Sequence, residues 1–98
     1  MAVGDVFAGG PTSIANGAFM NMQPATGAEA IVNNILLPEV PDGFELHFFD
    51  GTTSEKIRQL SSSFYGLYLR VTNTRYYRIK NVSGSAKNCG WDGVTTKV

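Results

Sequence analysis

Nucleophilic catalysis needs a nucleophile with a base in reach, and this chain offers one histidine, His47, and one cysteine, Cys89. Each stands two residues before an aromatic-Asp-Gly sequence, Phe49-Asp50-Gly51-Thr52-Thr53 in the first case and Trp91-Asp92-Gly93-Val94-Thr95 in the second. If the two blocks end equivalent strands, His47 and Cys89 occupy corresponding places in the fold and do not face each other, so the pair is not read as a catalytic dyad. Asp5, Asp42, Asp50 and Asp92 show no metal-ligand spacing, and three of them precede glycine, where a tight turn accounts for the pairing. No enzyme, metal or cofactor is expected. Arg70, Arg75, Tyr76, Tyr77, Arg78 and Lys80 interleave cations with aromatic rings, the mixture with which some sheets stack bases and neutralise phosphates. Strand alternation separates Tyr76, Arg78 and Lys80 from Tyr77 and Ile79. The set therefore reads as a wet strand face whose long stems cover apolar surface. Tyr68, Tyr76 and Trp91 offer flat rings on which sugars could stack.

These residues need strands to position them. Ala18, Met20 and Met22 alternate with Phe19, Asn21 and Gln23, and Pro24 closes that strand. In residues 28–37, AEAIVNNILL, β-branched side chains and the Asn33-Asn34 pair favour a strand over a helix, and Pro38 ends it. Pro38 to Gly43 is a stiff connection turned by Asp42-Gly43. Phe44, Leu46 and Phe48 mark a central strand reversed at Asp50-Gly51; charged Lys56 and Arg58 around Ile57 suit an edge. Tyr65, Leu67, Leu69 and Val71 predict a core strand running to an Asn73-Thr74 turn. Residues 76–81 follow, then a hairpin turn at 82–85, a short strand, a type I′ turn at Asp92-Gly93 and a last Thr-rich segment. The last three strands read as a meander. About seven strands in all predict a compact antiparallel β-sandwich or jelly-roll-like barrel, with no helix of consequence. Residues 1–17, rich in glycine, read as an extended arm ordered by a neighbouring subunit, and residues 18–98 as a single β domain.

With 98 residues there is room for one modest core. Eight basic and eight acidic residues balance to a formal net charge of zero, which argues against nucleic acid or anionic membrane as a partner. A lone cysteine forms no internal disulfide, so a buried free thiol is expected. No cationic start with an apolar run, and no apolar run of membrane-spanning length, is present. The chain reads as soluble and made in a cytoplasm. Packing Phe44, Leu46 and Phe48 on Tyr65, Leu67, Leu69 and Val71 leaves Phe19, Phe49, Tyr68, Tyr76 and Trp91 on opposite strand faces. So much aromatic surface predicts a homo-oligomer interface at those five residues.

Asn33-Asn34-Ile35, Phe48-Phe49-Asp50-Gly51-Thr52, Val71-Thr72-Asn73 ahead of Tyr76-Tyr77, Lys80-Asn81 and the Gly90 to Lys97 block, taken in order, resemble small all-β virion proteins of tailed bacteriophages. The resemblance implies a structural component of the particle, most directly a capsid decoration (cement) protein on the outer surface of the major capsid protein shell. Such proteins often act as trimers. It also implies a virion location after synthesis in the host cytoplasm, and it carries over no catalytic residue. The alternative is a tail or fibre module that recognises a host-surface glycan.

Overall fold

The computed structural model describes residues 2–98, and eight strands account for its regular structure. They are β1 (Gly9–Ile14), β2 (Phe19–Met22), β3 (Glu29–Leu36), β4 (Phe44–Phe49), β5 (Ser54–Leu60), β6 (Leu69–Thr72), β7 (Tyr76–Asn81) and β8 (Lys87–Lys97). Two four-stranded sheets form, ordered β1-β8-β3-β6 and β2-β7-β4-β5, with every pairing antiparallel. Strand 1 pairs with 8, 2 with 7, 3 with 6 and 4 with 5. The β8·β3 and β7·β4 contacts then complete the sheets, which is the order of a jelly roll.

Alternation puts one face of each sheet into a shared core. Met20, Met22, Phe44, Leu46 and Ile79 come from one sheet and Ala30, Val32, Ile35, Val71 and Cys89 from the other, all in one buried cluster. Phe44, Met22, Ile35 and Ile79 are among the largest side chains with almost no exposure. Burial of each contributes about 1.5–3 kcal/mol. β5 is an edge, as its charges predict, and Ile57 on it stands in solvent.

Chain connectivity departs from the sequence reading in four places. Residues 2–17, read as an extended arm, pack on their own domain: β1 pairs with β8, Val6 bridges to Val94, and Phe7, only 5% exposed, joins the core. Met1 lies outside the described residues. Gly9 and Gly10 serve close approach, because a Cβ on Gly9 would fall 2.2 Å from the Trp91 ring and one on Gly10 2.3 Å from Cys89 O. Next, the 82–85 turn does use Gly84 at φ +98, but β7 and β8 belong to different sheets, so it is a crossing and not a hairpin. β6, β7 and β8 alternate between sheets. They form no meander. Third, Asp92-Gly93 is no turn; it lies inside β8 opposite a bulge at Asn33, and Asp92 accepts a 2.6 Å hydrogen bond from Asn34 Nδ2. Last, the core strand expected from Tyr65 begins only at Leu69. Phe64 bridges to Ile35, Leu67 bonds to Asn33 through N–H···O at 2.8 Å, and Tyr65 is 67% exposed.

The Pro38 to Gly43 connection makes a testable point. Gly43 N–H donates to Val40 O at 2.9 Å, Pro41 fills the second turn position, and Asp42 takes φ +51 at the third. That is the position at which a type II turn asks for glycine. Among the described residues no hydrogen bond involves the Asp42 side chain, so Asp42→Gly should relieve left-handed strain and raise stability by about 1 kcal/mol. Urea denaturation reads this as a higher midpoint with an unchanged slope.

Candidate functional site

The outer face of the β2-β7-β4-β5 sheet is set by register, which lines Phe19 with Lys80, His47 with Arg78, and Phe49 with Tyr76. Arg78 lies between two rings, its guanidinium carbon 3.7 Å from the Phe19 centroid and 5.3 Å from that of Phe49. Such contacts attract through the ring quadrupole. His47 meets Phe19 edge-on at 5.2 Å and shares a 3.0 Å hydrogen bond with Glu45. Lys56 lies 3.6 Å from the same carboxylate. The His47 hydrogen bond, aided by the Lys56 charge, holds the Glu45 carboxyl below its ordinary pKa. Arg78 Nε and His47 Nδ1 are buried without a hydrogen-bond partner among the described residues.

Cys89 sits in the core on β8, in the other sheet from His47. Burial pushes its thiol pKa up, and its Sγ donates to Lys87 O at 3.7 Å. A thiol held protonated and covered is a poor nucleophile. Thiol reagents should leave the native protein unlabelled at neutral pH and react with Cys89 at once in denaturant. Rapid labelling of the folded chain would contradict this placement.

The five residues expected at an interface are dispersed. Phe19 and Phe49 belong to the outer-face cluster. Tyr76, 7% exposed, packs against Phe49 with centroids 5.3 Å apart, so it is covered within the chain. Trp91 is half-buried on β8, 5.6 Å from the Phe7 ring and over Gly9. Tyr68 alone stands out, 71% exposed.

Tyr68 rims a groove of 430 Å³ to which both sheets contribute, walled also by Glu29, Phe48, Arg70, Arg75 and Tyr77. The Phe48 and Tyr77 rings lie 4.9 Å apart, and the Arg75 guanidinium carbon stands 5.2 Å from the Phe48 centroid. Glu29 pairs with Lys97 at 3.7 Å. The cation-aromatic stretch of the sequence is thereby split: Arg70, Arg75 and Tyr77 reach the groove, while Tyr76, Arg78 and Lys80 go to the outer sheet face. Glu29 and Phe48 join the groove through register alone, so no local signal in the sequence marked them.

Fold and surface together define a jelly-roll domain whose aromatic and cationic side chains gather on an outer sheet face and in one open groove. No protein-family model matches the chain, and no curated protein is significantly similar to it in sequence.

Proposed function

We propose that the protein is a non-enzymatic structural component of a tailed-bacteriophage virion, a decoration protein that binds the outer surface of the major capsid shell as a homo-oligomer, a trimer in the favoured form. The observation that carries this reading is the strand order, β1-β8-β3-β6 over β2-β7-β4-β5, an architecture that viral capsid domains use repeatedly. It joins a sequence that resembles small virion proteins along most of its length. A rigid sandwich of paired sheets suits a protein whose work is to pack on a surface. Val3 and Val6, 63% and 70% exposed ahead of β1, and Tyr68 supply apolar surface for a neighbour to cover.

The test is to mix purified protein with empty shells of the parent phage lacking it, and to sediment them. Saturable co-sedimentation, together with shells that resist heat better, is the expected result; protein left in the supernatant at micromolar concentration overturns the reading. Light scattering on the free protein should give three times 10.6 kDa. A stable monomer would count against oligomerisation before shell binding.

A further inference from the structure

The groove beside β6 differs in charge from the rest of this neutral chain. Arg70 and Arg75 both line it, and neither has a carboxylate within 4.0 Å among the described residues, whose ion pairs join His47 and Lys56 to Glu45 and Lys97 to Glu29. Asp50, whose carboxyl is held below its ordinary pKa first by hydrogen bonds and also by the Arg75 charge, accepts through Oδ1 from the amides of Thr52 and Thr53 at 2.9 and 2.8 Å and lies beyond ion-pair distance of Arg75. Arg75 is also held in place. Thr72 N–H donates to Arg75 O at 2.7 Å, Arg75 N–H donates to Thr72 Oγ1 at 3.1 Å, and Phe48 lies beneath the guanidinium. Two free guanidinium groups at one groove ask for an anion, and their forked donors match a carboxylate.

The rest of the lining selects what bears that anion. Tyr68 offers an exposed ring face at the rim, the kind of surface that covers the apolar face of a sugar. The Thr72 and Thr96 hydroxyls and the Glu29 carboxylate can accept from sugar hydroxyls. A volume of 430 Å³ falls within the size of small-ligand sites. A nucleic-acid strand fits less well, because Glu29 would face its phosphates and two arginines neutralise few of them.

We propose that this groove binds an acidic saccharide, with the sugar ring on Tyr68 and its carboxylate shared by Arg70 and Arg75. The site goes beyond shell binding and does not depend on it. The experiment is a ¹⁵N NMR titration of the full chain with a glucuronate-containing disaccharide, a matched neutral disaccharide, inorganic phosphate and oligothymidylate. Saturable shifts around Tyr68, Arg70 and Arg75 with the uronate, and none with the neutral sugar, are expected. Arg70→Ala and Arg75→Ala should each weaken binding about tenfold or more, the scale of one lost charge-assisted hydrogen bond. All three side chains are exposed, so unchanged circular dichroism should accompany Arg70→Ala, Arg75→Ala and Tyr68→Ala. Equal binding of the neutral sugar, the same shifts from phosphate alone, tighter binding of oligothymidylate, or full uronate binding by the Arg70→Ala/Arg75→Ala double variant would each overturn the assignment. So would the absence of saturable shifts at millimolar uronate.

Discussion

Replacing Asn81 by leucine is expected to cost about 3–4 kcal/mol, a large fraction of a small domain's stability. Asn81 has no solvent exposure, yet every polar atom of its side chain is used. Its Nδ2 donates to Ile14 O and Ser85 O, both at 2.8 Å, while Oδ1 accepts from Ser83 N at 2.9 Å and Ser83 Oγ at 2.7 Å. Its backbone holds Gly17 N–H at 2.6 Å and bonds to Ala18 O at 3.0 Å. One side chain thus ties the end of β1 to the crossing between β7 and β8. Leucine fills similar volume but removes the donor to Ile14 O and the acceptor for Ser83 N–H, while Ser85 O keeps the Ser83 hydroxyl at 3.0 Å. Asn81→Asp tests the cause: it keeps both acceptor bonds to Ser83 but sets a carboxylate against two carbonyl oxygens. It should be as harmful as leucine at neutral pH. Denaturation midpoints for the two variants decide this, and a loss below about 1 kcal/mol for either would refute the role.

Gly93→Ala should destabilise by about 3 kcal/mol or prevent folding, because a Cβ there would lie 1.9 Å from Ile31 O and 2.9 Å from Val32 Cα. Both are backbone atoms of β3. That strand is held between β6 and β8, so it cannot move aside without breaking a ladder. The reason is close approach, not a left-handed backbone. Gly51 supplies the contrast: it takes φ +101 in the β4–β5 turn, where an added Cβ meets only Thr74 O at 3.3 Å. Gly51→Ala should cost about 1–2 kcal/mol, the strain of that conformation. If thermal melts place the two alanine variants together, steric exclusion at Gly93 is the wrong explanation.

What could be read from the sequence was what neighbours along the chain decide. Alternation in Phe19–Met22, Glu29–Leu36 and Phe44–Phe49 marks strands because one side of each faces the core, and Asp50-Gly51 is a turn because its own side chain caps the amides of Thr52 and Thr53. The all-β sandwich follows from these. β1 gave no such signal, since its middle residues are exposed and it is held by backbone pairing to β8. Asp92-Gly93 has the composition of a turn; only the β3 register shows that it sits inside a strand. A turn's sequence likewise does not say whether the next strand returns to the same sheet, which is why the crossing at Asn81 read as a hairpin. The residues expected at an interface lie apart for a related reason. Tyr76 is outward by alternation yet covered by its own chain, while Tyr68, Arg70 and Arg75 meet partners from β3, β4 and β8 that no local pattern announces.

The nesting of the pairs sets the order in which the molecule can assemble. Of the four nested pairs only β4 and β5 are joined by a short turn, so that hairpin closes first at low entropic cost, and β3·β6, β2·β7 and β1·β8 each enclose a longer loop than the one before. Folding should be slow for so small a domain. Its last step unites the two ends of the fold, and β8 is the strand that both β1 and β3 await. During synthesis, therefore, β3 presents an unpaired edge, and β1 has no sheet to join, until the residues from Lys87 onward have left the ribosome.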